Sequence, residues 1–415
     1  MSSLLIFEPH GEGHHLWYVR WISSEAVARG YDVWLATSPG CLEHPAYLAL
    51  QEECEGHLRT VTLPEDAPKP KPQGFADLAR WQIRYRGLFG ERYRRLSRNE
   101  RPDYVFIPYL DYCTYAMALL GSPFQNTPWG GLVITPAFHL KEEGIRAPDS
   151  RFHWAREGAF LRLLCNESLR VVFTFDETLI RHVRRSRPEL AKRIRFLPEP
   201  AELHGSHSRE SARRDLGVPS DATVILVYGV LDFTKGIDAL LAATKDDRFP
   251  GAASILLAGP QDDEVRMLLS SPRARMLRET GRLYEIDRFV YGEDEHAVFQ
   301  AADMAWVGYR RQYISSEVLI QAAMAGLPVV ACDEGLIGWL TGWHGLGLTV
   351  RVDDARAVAG AISRLARDRK LSARFGENGK RFSAAHEVAC FRRAIGEELL
   401  INFPNFSTKT EGARQ

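Results

Sequence analysis

The chain has 415 residues, of which 45% are hydrophobic and 26% are charged, and this composition is typical of a globular protein with two or three domains. Basic and acidic residues both number 53, so the formal net charge is zero and no global field favours a nucleic-acid partner. Residues 1–9 have no basic segment, and no apolar run is long enough to span a bilayer. We therefore expect a cytoplasmic protein without a signal peptide.

The first half of the chain alternates short apolar runs with longer helical patterns. A helix is predicted over residues 16–29, and strands are predicted at residues 4–7, 33–36, 104–107, 132–135 and 171–175. These strand candidates are apolar throughout rather than alternating, which favours parallel strands buried on both faces.

The pattern stops near residue 200 and then starts again. Prolines in residues 195–200 and a polar stretch at 204–213 indicate a linker. Further strands are predicted at residues 224–228, 254–258, 288–291, 304–307 and 328–331. We therefore predict an α/β protein with two doubly wound domains, residues 1–200 and 201–385, and a C-terminal helix at about 386–403 that packs back on the first domain.

Three loops follow predicted strands, at the positions where open α/β sheets bind ligands. The first loop, residues 10–15, has Gly11 and Gly13, which allow a close backbone approach to an anion before a helix begins. Its spacing is not that of a dinucleotide fingerprint, and a plain strand-to-helix turn explains it equally well.

The second and third loops carry cations. Residues 228–237 place Lys235 at a helix start, where a lysine is unfavourable unless it meets an anion. Residues 308–317 place Arg310 and Arg311 before Ser315 and Ser316, which we predict to cap the next helix. Both loops are alternatively explained by solvated side chains at ordinary helix starts.

Cysteines and histidines give no metal pattern. The six cysteines form no CxxC pair, and the 13 histidines are scattered. We predict isolated thiols in a reducing compartment, and we expect no metal and no cofactor.

The second half resembles the donor domain of retaining glycosyltransferase family 4, which has the GT-B fold. The resemblance is carried by residues 195–200, by GVLDFTKG at 229–236, by SILLAG at 254–259, by FVYG at 289–292 with the following AVFQAADMAWVGY, and by QAAMAGLPVVA at 321–331. It covers nearly the whole chain and is more specific in this half. It implies two facing Rossmann-like domains with an interdomain cleft, and sugar transfer from a nucleoside-diphosphate sugar without a metal.

The resemblance also implies the roles of individual residues. The donor diphosphate and sugar would be bound by Gly11, Gly13, Gly229, Lys235, Arg310, Arg311, Ser315 and Ser316, and the nucleoside by Val290, Tyr291 and Gln321. Catalytic roles would fall to His139, Lys235, Glu317 and Asp111, the last as a proton acceptor for the acceptor hydroxyl. His14 and His15 would face the acceptor. For His139, a buried or helix-capping position is an equal alternative.

Two positions depart from the family pattern. The phosphate-binding arginine of the family falls on Val230, and its paired glutamates fall on Tyr313 and Gln321. Glu317 lies one helical turn before Gln321 and is the alternative carboxylate, and Arg310 or Arg311 would replace the lost positive charge.

Residues 80–101 are rich in arginine and have aromatic residues at helical spacing. Such a helix suits a peripheral contact with the inner face of an anionic membrane, and thus a lipid-linked acceptor. A helix packed in its own domain, with solvated arginines, is the favoured alternative because Gly87 and Gly90 weaken a free-standing helix.

Two other functions remain open. The departures at Val230 and Tyr313 motivate a catalytically inactive nucleotide-sugar-binding subunit of a partner enzyme. A sugar-phosphate enzyme or epimerase on the same fold would form product without an acceptor. The acceptor of a transferase would be a glycan, a lipid-linked molecule or a small molecule, in bacterial glycan, glycoconjugate or natural-product biosynthesis.

Overall fold

A computed structural model describes residues 2–64, 74–96, 100–148 and 152–402, which divide into two compact units. The first unit contains the described residues up to Glu143, Pro148–Pro198 and those from Val388 onward. The second contains Gly144–Ala147 and Glu199–Glu387.

The first unit is built on a parallel sheet of seven strands in the order β3-β2-β1-β4-β5-β6-β7. The strands are β1 Ser2–Phe7, β2 Tyr31–Thr37, β3 Leu58–Thr62, β4 Tyr104–Ile107, β5 Trp129–Val133, β6 Leu169–Thr174 and β7 Ile194–Phe196. Its first six helices are α1 His15–Ala28, α2 Pro45–Glu53, α3 Phe75–Arg95, α4 Thr114–Leu120, α5 His153–Leu164 and α6 Glu177–Ser186.

The second unit has a parallel sheet of six strands in the order β10-β9-β8-β11-β12-β13. The strands are β8 Thr223–Tyr228, β9 Ala253–Ala258, β10 Leu283–Ile286, β11 Met304–Val307, β12 Val329–Cys332 and β13 Gly347–Val350. The helices are α7 Arg209–Asp215, α8 Ile237–Ala243, α9 Asp263–Leu269, α10 Pro272–Glu279, α11 Glu293–Ala301, α12 Glu317–Met324, α13 Gly335–His344, α14 Ala355–Arg367 and α15 Arg369–Ser383.

The last helix, α16 Val388–Asn402, belongs to the first unit and packs against α1. Phe391 is fully buried beside Tyr18 and Trp21, and Arg392 lies 3.3 Å from Glu25. The chain therefore returns to its first domain after completing the second.

Apolar side chains on both faces explain why the central strands are uninterrupted apolar runs. In β1, Leu4 and Ile6 enter the core on one face of the sheet, whereas Leu5 and Phe7 enter the core on the other. This confirms the predicted parallel, doubly wound α/β class, because a strand covered by helices on both sides needs no polar face.

Several predicted boundaries are wrong. The predicted strand at residues 288–291 is a loop in which Phe289 and Tyr291 are exposed, and the strand of this region is β10, five residues earlier. The polar stretch at 204–213 contains the start of α7, whose N-cap Ser208 accepts a hydrogen bond from the Ser211 amide. The predicted linker at 195–200 overlaps β7.

Candidate functional site

The second unit places its two charged loops side by side. They follow β8 and β11, which are neighbours at the point where the strand order reverses. Ligands of open α/β sheets bind at this position, outside the carboxyl ends of the strands. The loop after β8 carries Lys235, and the loop after β11 leads into α12.

Lys235 is anchored at both its backbone and its side chain. Trp306 donates a hydrogen bond to the Lys235 carbonyl at 2.8 Å, and Lys235 Nζ donates to the Tyr309 hydroxyl at 2.9 Å. The next residue, Gly236, has a φ of 64°, and a Cβ there would overlap the Gly308 carbonyl oxygen. Only glycine allows the two loops to approach this closely.

The two arginines after β11 have different environments. Arg310 lies 3.0 Å from Asp238 of α8, and its guanidinium lies 5.5 Å from the centre of the Phe233 ring. Arg311 is exposed, has a left-handed φ of 56°, and pairs with no acid among the residues that the structure describes. The charge of Arg311 is therefore the more available for an anionic ligand.

The first turn of α12 has no side-chain cap. Ser316 is the N-cap residue, as predicted, but its hydroxyl accepts no hydrogen bond from the described amides of the helix. Ser315 and Ser316 are both buried. A Cβ on Gly229 would lie 3.4 Å from Lys235 Nζ and 3.8 Å from Val318, so Gly229 lies between the lysine and this helix end.

A second group of polar side chains, which we call the Tyr228 cluster, lies beside these loops. It consists of Tyr228, Glu295 and Gln321. Tyr228 donates a hydrogen bond to Glu295 Oε1 at 2.6 Å, and Gln321 Nε2 donates to the same oxygen at 2.8 Å. Burial raises the pKa of Tyr228, and the nearby carboxylates of Glu295 and Glu317 raise it further.

The Tyr228 cluster connects the residues predicted to bind a nucleoside. The Tyr228 hydroxyl also lies 3.1 Å from the Val290 carbonyl oxygen, which brings Val290 and Gln321 to one place. Tyr291 follows Val290, is 71% exposed, and stacks on Phe289 with ring centres 5.8 Å apart. Tyr228 and Glu295 were not predicted, because only the fold brings them to Gln321.

The two positions that depart from the family pattern are both accommodated. Val230 follows Gly229 and is 51% exposed. Tyr313 is half-buried, and its carbonyl accepts a hydrogen bond from the Leu336 amide. Burial raises the pKa of Tyr313, as does the nearby Glu334 carboxylate.

The first unit has a buried polar group at the carboxyl end of β1, which we call the Glu8 cluster. It consists of Glu8, His10, His15, Tyr85 and Tyr112. His15 Nδ1 lies 3.1 Å from Glu8 Oε1 and 2.9 Å from the Tyr112 hydroxyl, and His10 Nε2 is 2.6 Å from the Tyr85 hydroxyl. The Glu8 side chain is fully buried, and its Oε2 atom has no hydrogen-bond partner among the described residues.

His15 connects the Glu8 cluster to the surface. Its side chain is 19% exposed and stacks on Tyr109 with ring centres 3.6 Å apart. The preceding loop is open, since Glu12, Gly13 and His14 are exposed and a Cβ on Gly13 would meet no described atom within 4 Å. Gly11 instead packs closely against Leu16 and Cys41. The predicted acceptor-side residues thus lie at one surface of this unit.

His139 is fully buried, as the alternative interpretation of this residue expects. Its Nε2 atom lies 2.7 Å from Asp176 Oδ2 and 3.1 Å from the Thr178 hydroxyl. Asp176 is also the N-cap of α6. In this structure His139 braces a helix start, and its catalytic role stays a prediction.

Asp111 is likewise occupied by its own domain. Its Oδ2 atom accepts a hydrogen bond from the Ile134 amide at 2.8 Å, and its Oδ1 atom accepts one from the Thr135 amide at 3.0 Å. Burial raises the pKa of Asp111, and these hydrogen bonds oppose the shift. The side chain clamps the residues after β5 to the turn after β4, and its role in proton transfer stays a prediction.

The aromatic face of α3 packs inside the first unit. Tyr85, Phe89 and Tyr93 are at most 3% exposed and belong to the core on one face of the sheet. Arg86 donates hydrogen bonds to the carbonyl oxygens of Leu120 and Gly121. Residues 97–99 of the predicted basic segment lie outside the described residues. Among the residues that the structure describes, no helix is both long and apolar enough to cross a bilayer.

The remaining candidate metal ligands are the cysteines and one group of histidine and glutamate side chains. Four of the six cysteines, Cys41, Cys54, Cys113 and Cys332, are buried. In the second unit, His207, Glu293 and His296 come together, which the spacing of the histidines in the sequence did not indicate.

The second unit is similar to a known family. Residues 208–382 match the family described as glycosyl transferases group 1. D-inositol 3-phosphate glycosyltransferase of Saccharomonospora viridis is 31% identical over 168 residues, which are 38% of this chain and 38% of that protein. The lipopolysaccharide core biosynthesis glycosyltransferase LpsE of Rhizobium meliloti is 29% identical over 168 residues, 40% of this chain and 46% of its own length. The chain thus spans less than half the length of these curated relatives.

Solved structures resemble the chain over nearly its full length. Sucrose-phosphate synthase of Thermosynechococcus elongatus has a TM-score of 0.69 at 19% identity and covers 98% of this chain and 100% of its own. Anabaena HepE in complex with UDP has a TM-score of 0.65 at 15% identity, and the match covers 96% of this chain and 99% of the HepE chain. At these identities the likeness establishes the fold alone, which is GT-B as predicted. The chain therefore has the GT-B fold, and its residues 208–382 match the glycosyl transferases group 1 family.

Proposed function

We propose that this protein transfers a sugar from a nucleoside-diphosphate sugar to an acceptor hydroxyl, with retention of the anomeric configuration. The observation that carries the proposal is the close approach of the loops after β8 and β11, where Lys235 donates a hydrogen bond to Tyr309. Arg311 and the N-cap of α12 follow Tyr309 in the second loop, and this N-cap residue makes no side-chain capping hydrogen bond. The group 1 family match covers both of these loops.

Negative charge develops on the diphosphate as the bond from the sugar to the leaving oxygen breaks. Fixed cations and helix-end amides stabilise such charge without reorganising at the moment of reaction. In our proposal Lys235 and Arg311 supply the cations and α12 supplies the amides. The acceptor oxygen forms the new bond to the sugar, and its proton passes to the leaving phosphate or to solvent. Glu317, at the first position of α12, is proposed to face the sugar hydroxyls.

The nucleoside would bind against the Tyr228 cluster. Gln321 and Glu295 offer an amide and a carboxylate to ribose hydroxyls, and the exposed Tyr291 ring offers a stacking surface for the base. HepE was solved in complex with UDP, so we propose a nucleoside diphosphate as the common part of the donor.

The acceptor would bind in the first unit, at the surface formed by His14, His15 and the loop containing Gly13. LpsE acts in lipopolysaccharide core biosynthesis, and WaaG is a glycosyltransferase involved in lipopolysaccharide biosynthesis. On that basis we propose a bacterial glycan or glycoconjugate acceptor, processed in the cytoplasm.

A membrane contact through α3 would use its arginine-rich outer face, because its aromatic face is buried in the core. Binding to vesicles should then depend on anionic lipid and fall steeply with salt. Association with neutral vesicles as strong as with anionic ones would contradict this route.

The test begins with thermal unfolding of the full chain in the presence of UDP, GDP, dTDP, ADP and CMP. A ligand at about 100 times its Kd stabilises the fold by about 2.7 kcal/mol, which is readily detected. The sugar donor carrying the best base is then assayed for release of nucleotide, with and without acceptor. We expect release that is unchanged by added Mg²⁺ or Mn²⁺. The absence of stabilisation by every nucleotide would refute the donor site.

One observation favours a second candidate, an inactive nucleotide-sugar-binding subunit. An apolar side chain, Val230, is exposed in the loop where the family has its phosphate-binding arginine. Such a subunit would be stabilised by the nucleotide but would release none from the donor, even over long incubations. Measurable hydrolysis of the donor would exclude it.

A further inference from the structure

We propose that His207, Glu293 and His296 form a binding site for a divalent transition-metal ion, with Zn²⁺ as the best match to the donor atoms. Each residue offers one ligand atom, and these atoms all lie within 4.8 Å of one another. Two imidazole nitrogens and a carboxylate oxygen suit zinc, which accepts nitrogen and oxygen ligands at about 2.0–2.2 Å. The site goes beyond the proposed sugar transfer, which needs no metal.

The local fold directs these three side chains to one point. Glu293 and His296 lie three residues apart on α11, so they project from the same face of that helix. His207 comes from the segment before α7. Gly205 allows this segment to approach α11, because a Cβ on Gly205 would overlap the His296 ring.

The inner nitrogens of both histidines have the character of metal ligands. The Nδ1 atoms of His207 and His296 are buried, and His296 Nδ1 has no hydrogen-bond partner among the described residues. His207 Nδ1 lies 3.0 Å from Glu293 Oε2. Buried polar atoms without a partner are rare because they cost free energy, and a shared metal ion would satisfy both nitrogens at once.

The outer nitrogens have polar neighbours of the kind that orient ligand histidines. His207 Nε2 lies 3.7 Å from Asp215 Oδ2, and His296 Nε2 lies 3.4 Å from the Gln300 amide. A carboxylate or amide oxygen that accepts the outer N–H fixes the tautomer that leaves the inner nitrogen unprotonated. The Gln300 amide presents its oxygen to His296 after a simple flip, since the two orientations are nearly identical in shape.

A hydrogen-bonded contact without metal is the competing account. Glu293 already accepts hydrogen bonds from the Ser206 amide at 3.1 Å and the Ser206 hydroxyl at 3.3 Å. These bonds, with the His207–Glu293 contact, would hold the segment against α11 by themselves. They give His296 Nδ1 no hydrogen-bond partner, and this buried atom without a partner is the observation that favours a metal ion.

The position of the site gives the ion a structural role. Glu295 lies between the two α11 ligands in sequence and bonds Tyr228 and Gln321. An ion at Glu293 and His296 would fix the first turn of α11, and with it the position of Glu295. We therefore expect the ion to stabilise the second unit.

Zinc binding is tested on tag-free, full-length protein that has been treated with a chelator and dialysed. Calorimetric titration with ZnCl₂, in the absence of nucleotide, should give one saturable site per chain and a higher Tm. His207→Gln and His296→Gln should each raise the Kd for zinc more than about 100-fold, and Asp215→Asn about 10-fold. Matched controls are His204→Gln and Asp294→Asn, which change an exposed histidine and an exposed acid nearby and should leave the Kd unchanged.

Co²⁺ substitution separates this site from the exposed thiol of Cys165. The visible spectrum should lack thiolate charge-transfer bands and should be the same in Cys165→Ser. The proposal is overturned if wild-type protein shows no saturable site, or if His207→Gln and His296→Gln bind zinc as well as the controls do. Circular dichroism and nucleotide-induced stabilisation show whether each variant is folded. A variant that loses zinc but keeps nucleotide binding separates this site from the donor site.

Discussion

Replacing Lys235 with methionine should lower the affinity for the nucleoside diphosphate and leave the affinity for the free nucleoside unchanged. Methionine keeps an unbranched apolar chain beside the Tyr309 ring, from which Lys235 Nζ is 4.1 Å distant, but removes the charge. A unit charge about 4 Å from a phosphate charge contributes about 4 kcal/mol at an effective dielectric constant of about 20. Lys235 is partly exposed, so solvent reduces this to the range of a charged hydrogen bond, about 1.5–3 kcal/mol. The expected rise in Kd is about 10- to 150-fold.

Calorimetry with the preferred nucleoside diphosphate and with its free nucleoside is the assay. Tyr309→Phe is the matched control, because it removes the hydroxyl that accepts the 2.9 Å hydrogen bond from Lys235 and leaves the lysine charge in place. Lys245→Met, at an exposed site beyond α8, controls for net charge. The reasoning is refuted if Lys235→Met binds the diphosphate like wild type, or if affinity for the nucleoside falls by the same factor.

Four further variants test other parts of the structure. Gly236→Ala should destabilise the protein by at least about 1–2 kcal/mol in denaturant titrations, because alanine is strained at a φ of 64° and its Cβ has no space. Arg311→Gly should raise the Tm, because glycine relieves the strain of the left-handed backbone, and should weaken diphosphate binding. A lower Tm together with weaker binding would contradict the role given to this arginine. Burial lowers the pKa of His386, so the folded state binds fewer protons than the unfolded state below about pH 6.5. The contribution of His386 to stability should therefore be fully present above that pH and be lost as the pH falls below it, and His386→Gln should show a smaller loss of stability between melts above and below that pH. Glu8→Gln should lower the rate of transfer to acceptor more than the rate of donor hydrolysis, because Glu8 contacts His15 on the proposed acceptor side; an equal loss of both rates would indicate a general structural effect.

The central strands could be predicted from the sequence, and the edge strands largely could not. β3, β10 and β13 were missed, and β7 overlaps the predicted linker at 195–200; these four strands are the edges of the two sheets. An edge strand has a neighbour on one side only and contains exposed or half-buried residues, as in β3 and β10. Its residues therefore lack the uninterrupted apolar run that identified the inner strands.

For the polar residues that follow strands, the sequence predicted the position of each residue but not the direction of its side chain. Asp111 and His139 point inward, to backbone amides of their own domain and to Asp176, whereas Lys235 lies at the loops of the strand crossover. The partner that decides each case lies far away in sequence, for example Tyr309 for Lys235.

The substitution at Val230 does not leave the proposed diphosphate site without positive charge. Arg310 is neutralised by Asp238, so the remaining cations are Lys235 and Arg311. Arg311 adopts a left-handed backbone, which costs a residue other than glycine about 1–2 kcal/mol, and it does so in an exposed loop without an acid partner among the described residues. Nothing in the fold of the second unit requires an arginine at that strained position, whereas an anionic ligand would. The strain is thus more readily explained by a retained donor site than by a site that has lost its ligand.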